Sequence, residues 1–425
     1  MISEIYKHFL LSGGVSTDSR SNVSNKIFFA LSGENFNGNK FAIDAEKKGA
    51  LLCVIDDPSY LTKNCILVPD VLVALQQLAK HHRNNNTATI LAITGTNGKT
   101  TTKELISSVL GSTTDIISTK GNYNNHIGVP LTLLRIQPTT KIAVVEMGAN
   151  HIGEIKELCE IAQPNLGIIT NIGKAHLEGF GSFEGVITAK NELYNYINKN
   201  NGKIIVNSDD ELLINLSKKM TTITYGSNNA YIMGKITAYK PLLKISWQIN
   251  DLTYECQSQL YGKYNFSNIM AAITSGVYFG VPADKINYAI ASYNPENNRS
   301  QKIITKNNSI LLDAYNANPT SMKGAITSFV EYKFNNPYLL LGDMFELGKY
   351  SGEEHQAIVD ILVNDKVKNV IIIGNEFSKT KNHPFISLSN TQDAFEFLSM
   401  NKICNANILV KGSRGMKLEK LLEVL

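Results

Sequence analysis

The sequence predicts an α/β protein of three domains: a small N-terminal α/β domain (residues 1–84), a central parallel-sheet domain of P-loop type (85–296) and a C-terminal Rossmann-like domain (297–425). Three observations carry that prediction. Short apolar runs of strand length alternate with helical stretches, which is the pattern of strands buried between helix layers. A glycine loop, "GTNGKT" at 95–100, follows the apolar run "TILAIT" and opens a helix, the order of elements that phosphate binding requires. At 425 residues the chain is also too long for one core, and two polar stretches divide it.

In chain order, "KIFFALSG", "GALLCVID" and "NCILVPD" read as short strands and "VLVALQQLAKHH" as an amphipathic helix. "RNNNTAT" (83–89) has the composition of a linker. "TILAIT" then reads as a buried strand, and the helix that starts near Lys99 places Leu105, Ile106, Val109 and Leu110 on one face. "KIAVVEMG", "NLGIITNIG" and "GKIIVNSDD" continue the strands. A second boundary falls in "YNPENNRSQ" (293–301), beyond which "SILLDAYNANP", "YLLLGDM", "KNVIIIG" and "ANILVKGSRG" resume the alternation.

Composition narrows the function classes. A net charge of +4 without any Lys/Arg run gives no reason to expect a nucleic-acid partner. The five cysteines include no C-x-x-C pair, which argues against a zinc site or disulfide framework and for a reducing, cytoplasmic location. "MISEIYKHFLLSGG" is too broken by charge for a signal peptide, and no apolar run reaches membrane-spanning length, so no membrane insertion is expected. A monomer is the default expectation.

The glycine loop departs from a Walker A loop, which would need glycine where Ile93 stands. Gly95 and Gly98 nevertheless allow a tight turn with inward N–H groups around Thr96 and Asn97. Lys99 supplies a point charge for the β- and γ-phosphates of ATP, the Thr100 hydroxyl can ligate Mg²⁺, and the new helix, through Thr101, adds the positive end of its dipole. Glu146 stands at the carboxyl end of a central strand and His176 after the next one, on the rim where α/β sheets bind ligands. Lys190, within a helical stretch, reads from the residues alone as a solvated face residue.

Together these residues resemble the Mur ligase family, ATP-dependent amide ligases of cell-wall precursor synthesis whose loop reads G-T/S-N-G-K-T, matched by Gly95 to Thr100. The resemblance implies that Thr100, Glu146 and His176 bind magnesium, two ions in all, and that Lys190 is carbamylated into an anionic ligand. The family commonly has K-G-E where this chain has Lys190-Asn191-Glu192. "LYGKYNFSNIMAA" resembles the family's N-x-x-N-x-x-A-A helix, which implies that Asn265 and Asn268 lie near the adenine, with Tyr264 in place of the usual histidine. By the same resemblance Arg299 meets the nucleotide phosphates, Asp313 the ribose and Asn316 the nucleotide. "STDSR" and "IFFALSGENFNGNKFA" resemble the uridine-nucleotide pocket, which makes the first domain a UDP-substrate domain and sets Ser19 and Arg20 near the UDP end.

"DAYNANPTSM", "LGDMFELG" and "KGNYNNHIGVPLTLL" resemble one branch of the family, which joins D-Ala-D-Ala to a UDP-N-acetylmuramoyl-tripeptide. A carboxylate does not react with an amine until it is activated, so the resemblance implies an acyl phosphate made from ATP and then attack by the dipeptide amine. Lys99, Glu146, His176 and Lys190 are the expected catalytic set. Asn122, Asn124 and Asn125 are expected to position substrate, and Asp343, Lys411 and Arg414 to form the dipeptide pocket, with Lys411 or Arg414 pairing its carboxylate. The residues name no general base. Two alternatives stay open: a folylpolyglutamate synthase-like amide ligase, and a non-catalytic nucleotide-binding scaffold of the same fold.

Overall fold

The computed structural model describes residues 1–240, 242–296 and 298–425. Asn297, the expected first residue of the C-terminal domain, lies outside the described residues.

The first sheet has four parallel strands in the order Val15–Ser16, Ile27–Phe29, Leu52–Ile55 and Cys65–Leu67. "KIFFALSG" is not one strand: it ends at Phe29, and Ser32–Gly33 pairs with Phe36–Asn37 as a separate hairpin. Two helices cover one face. Ile2–Leu11 buries Ile5 and Phe9, four apart and so on one stripe, and packs on Val71–Asn84.

The expected linker at 83–89 is shorter in the structure: only residues 85–88 join the Val71–Asn84 helix to the Thr89–Thr94 strand. Arg83 ends the Val71–Asn84 helix as a buried residue, donating from Nε to the Ala162 carbonyl at 3.2 Å and from Nη2 to Asn165 Oδ1 at 3.1 Å. A guanidinium satisfied by fixed carbonyls on the central domain makes this junction rigid. Composition alone hides that: Asn84, Asn85 and Thr87 are exposed as a linker's residues would be, and of the stretch's polar residues only Arg83 is buried in contacts.

The central sheet has nine strands. Its strand Thr89–Thr94 lies between Ile142–Glu146 and Leu166–Ile169, all parallel, and the order then continues through Lys203–Asn207, Thr222–Gly226 and Ile232–Ala238. An antiparallel hairpin, Lys244–Ile249 with Leu252–Gln257, finishes that edge. Its turn is Asn250-Asp251, both at positive φ (44° and 63°), a two-residue connection suited to strand twist. The helices Lys99–Gly111 and Asn265–Tyr278 pack together on one face, where Leu105, Ile106, Val109 and Leu110 are all buried. Glu154–Ala162 and Phe183–Lys199 cover the other.

The third sheet has six strands in the order Gln301–Ile304, Asn308–Asp313, Ala406–Lys411, Pro337–Gly342, Val370–Ile373 and Ile386–Leu388; only the first pair is antiparallel. One cluster of buried apolar side chains runs from Ile5 through Val145 to Leu409, so it draws on all three sheets' domains. Among the described residues no helix is long and apolar enough to cross a membrane.

Candidate active site between the central and C-terminal domains

The glycine loop leaves its strand between two neighbours, so both strand exits build its walls. Gly95 sits at φ +142°, and a Cβ there would lie 2.0 Å from Thr170 Oγ1. Gly98, at φ +78°, would meet Asn268 Oδ1 at 2.5 Å. Both positions therefore demand glycine twice over, for conformation and for space. The segment after Leu166–Ile169 splints the loop: Thr170 Oγ1 and Asn171 Nδ2 donate to the Asn97 carbonyl at 2.6 and 2.9 Å, and the Gly173 N–H donates to Thr96 Oγ1 at 2.9 Å.

Lys99 folds back on its own loop, donating to the carbonyls of Gly95 at 2.7 Å and Thr96 at 3.1 Å. Burial pushes its pKa down, Glu146 opposes that shift and Arg299 adds to it. Glu146 is the last residue of its strand and is buried. Asn124 Nδ2 donates to its Oε1 at 2.8 Å, while Oε2 has no partner. A buried carboxylate oxygen left bare is costly unless a cation or donor completes it.

These groups open into one cavity of about 670 Å³, lined from the central domain by Thr96 to Thr101, Asn122, Asn124 to His126, Glu146, His176, Asn265 and Asn268. The C-terminal domain contributes Arg299, Asp313, Tyr315, Asn316, Asn318, Glu346 and Lys411. Contacts close the two sides directly. Asn318 Nδ2 donates to Asn97 Oδ1 at 2.8 Å, Lys174 Nζ donates to Glu354 at 2.6 Å, and His176 Nδ1 lies against the Glu346 carboxylate.

The chain matches the Mur ligase middle domain over residues 93–276 and the Mur ligase, glutamate ligase domain over 298–414. It is 35% identical to UDP-N-acetylmuramoyl-tripeptide–D-alanyl-D-alanine ligase of Bacillus subtilis, with 96% of this chain and 92% of that protein covered. The chain belongs to the Mur ligase family. Among solved structures it is similar to MurF ligase from Thermotoga maritima in complex with ADP (TM-score 0.87, 26% identity, 98% and 97% of the two chains covered). MurF from Acinetobacter baumannii gives a TM-score of 0.85 at 28% identity, with 96% and 92% covered.

In this Mur ligase several residues stand elsewhere than their sequence reading suggests. Lys190 is not a solvated face residue. It is 2% exposed, lies 5.2 Å over the Phe180 ring, donates to the Ala149 carbonyl at 3.5 Å, and burial with the nearby Lys99 charge pushes its pKa down to about 7. Glu192 accepts from the N–H groups of Gly153 (2.6 Å) and Lys156 (2.9 Å), and so anchors the start of the Glu154–Ala162 helix. Lys411 lines the cavity but is no free cation, because its ammonium donates to Asp313 at 2.6 Å. Asp313 also accepts from the Ser300 N–H at 3.0 Å.

Asp343 is not at the cavity. Its carboxylate accepts the N–H groups of Glu376 and Phe377 at 3.0 and 2.9 Å and holds a turn. Arg414 is exposed, outside the cavity lining, with its guanidinium 5.2 Å from the Tyr315 ring. Arg299 stacks on that ring at 3.6 Å, which makes Tyr315 its seat.

Asn125 caps the Gly128–Leu133 helix, accepting from the Gly128 N–H at 2.9 Å. Asn268 accepts from Thr102 at 3.1 Å and donates to Asn265 at 2.8 Å, tying its helix to the loop helix. Asn316 Oδ1 accepts the Ala317 N–H at 2.9 Å. Ser19 and Arg20 lie on an exposed turn where Arg20 pairs with Asp18, apart from a surface cavity lined by Ser32 to Asn37, Asn39 and Asp56.

Asn39 and Asn171 are positioning groups that the sequence does not point to, whereas Asn318 stands in the "DAYNANPTSM" motif without an assigned role. Only Asn318 carried a local signal, the Asn-Pro-x-Ser of a capping box that the structure forms.

Proposed function

We propose that this chain is an ATP-dependent ligase that adds D-Ala-D-Ala to UDP-N-acetylmuramoyl-tripeptide through an acyl phosphate, as a step of cytoplasmic peptidoglycan precursor synthesis. The observation that carries the reading is the shared cavity. It holds Lys99 and the bare Glu146 oxygen on one wall and the C-terminal domain on the other, with the loop amides between them. Relatives that carry the same activity in their names align with 96–97% of the chain, so with most of its first domain, which disfavours the folylpolyglutamate synthase-like alternative.

Chemistry follows from the parts. The stem carboxylate attacks the γ-phosphorus of ATP, the bond to ADP breaks, and the acyl phosphate forms. Lys99 leaves the loop carbonyls for the transferring phosphoryl oxygens, where a preorganised charge in a water-poor site is worth most. The dipeptide amine then attacks the acyl carbon, and inorganic phosphate departs. Arg299, seated on Tyr315 in the cavity wall, would meet the nucleotide phosphates.

Magnesium, when bound, neutralises phosphate charge. Thr100, Glu146 Oε2 and His176 would hold it. A hydroxyl and a carboxylate oxygen are the oxygen donors that a hard cation prefers. Lys190 suits carbamylation because its neutral amine is populated near pH 7 and buried beside the same wall. We place both small-molecule substrates on a monomer, with UDP on the first domain.

The decisive experiment is phosphate release with UDP-N-acetylmuramoyl-tripeptide, D-Ala-D-Ala and ATP, omitting each in turn. Release is expected only with all three present, and ¹⁸O placed in the stem carboxylate should appear in the phosphate. Release that ignores the dipeptide would refute the ligase reading.

A further inference from the structure

We propose that Glu346, from the C-terminal domain, is a positioning residue. It seats the His176 ring at the cavity wall from across the domain boundary. The inference rests on the ligase reading above and adds to it a route by which domain closure reaches the phosphate loop.

The segment Thr170–Glu178 is the connecting part. Its first half splints the glycine loop through Thr170, Asn171 and Gly173. Its second half is gripped by the C-terminal domain. The Lys174 N–H donates to Thr320 Oγ1 at 3.2 Å, Lys174 Nζ to Glu354 at 2.6 Å, and the Glu178 N–H to the Glu346 carbonyl at 3.3 Å. His176 sits between these grips at φ +50°, in the left-handed region that non-glycine residues seldom occupy.

Glu346 is itself held in place. It also lies at positive φ (+62°), in a loop pinned on its N-terminal side. The Met344 N–H donates to His355 Nε2 at 3.0 Å, the Phe345 N–H to Ser413 Oγ at 2.9 Å, and Leu347 is buried. Two residues in left-handed backbone, one from each domain, thus meet side chain to side chain at the cavity wall. Strained backbone maintained on both sides of a contact marks a position fixed by its surroundings. Glu346 meets the imidazole and not the nucleotide loop, so it acts through His176.

The test uses the full-length protein. Glu346→Gln keeps the size and removes the charge at a half-exposed position, so the fold is expected to survive. We expect kcat to fall about tenfold while KM for ATP moves less than about twofold, because the lost contact matters after nucleotide binding. In a His176→Ala background the same change should alter kcat less than about twofold, since its effect passes through the missing ring. Glu346→Asp should recover part of the loss. Independent of turnover, amide hydrogen exchange in the ligand-free Glu346→Gln protein should rise across residues 173–180 and stay unchanged in Thr89–Thr94. Losses that multiply in the double variant, or exchange identical to wild type, would overturn the proposal. Wild-type protein without dipeptide-dependent phosphate release would instead overturn the ligase reading, and the exchange result would still judge the contact.

Discussion

At the residue scale, the site's side chains fall into those that face the cavity free to act and those already committed to holding it. Lys99 belongs to the first group: among the described residues its hydrogen-bond partners are two carbonyls of its own loop, which phosphate oxygens can replace. Lys99→Ala should therefore lower kcat by about 10²–10³-fold, checked by steady-state phosphate release, with far-UV circular dichroism unchanged. His355 belongs to the second group. It is fully buried, its Nε2 accepts the Met344 N–H, and burial holds its pKa below the ordinary 6.5. The unfolded chain then binds the proton more readily between the folded value and 6.5, so stability present above that window is lost as pH falls through it. His355→Gln keeps an acceptor but cannot titrate. Its unfolding free energy should fall less steeply than wild type's between about pH 7 and 5, as measured by urea titration at each pH.

At the element scale, the Val71–Asn84 helix shows how polar letters mislead. It buries Leu75, Leu78 and Ala79 beneath the first sheet, and its last turn sends Arg83 into the central domain. Arg83→Ala removes charge-assisted bonds, leaving the buried Ala162 carbonyl without its Arg83 donor, whereas Asn165 Oδ1 keeps the Ile90 N–H. The expected cost is about 2–3 kcal/mol, seen as a lower urea midpoint at unchanged slope. The strand, loop and helix around Lys99 were legible because each satisfies a local rule: an apolar run, two glycines, a 3.6-residue stripe. The Asn250-Asp251 hairpin was legible in principle, by its two-residue turn between alternating runs. It went unread because the surrounding pattern pointed to parallel strands.

At the scale of the whole molecule, the cavity exists because two sheets face one another. The partly exposed Lys174 and the buried Glu354 are one of the ties across that gap. Glu354→Gln should loosen it, so small-angle scattering of the ligand-free variant should give a larger radius of gyration than wild type. Adding an ATP analogue and both substrates should bring the two together. Equal radii without ligand would mean that the Asn97–Asn318 pair and the buried apolar contacts hold closure by themselves.

What the sequence determined by itself was local: the α/β alternation, the phosphate loop with Gly95, Gly98 and Lys99, and the strand ends that carry Glu146 and Asp313. Each depends on neighbours a few residues away, where periodicity and conformational preference are readable. Only the tertiary structure decided which polar groups are free. Lys411 is taken by Asp313, Asp343 by two backbone amides, Lys190 is buried, and His176 is met by Glu346 from 170 positions later in the chain. The physical reason is that desolvation and hydrogen-bond partnership are set by what packs nearby in space, and the spacing of letters along the chain carries no record of that.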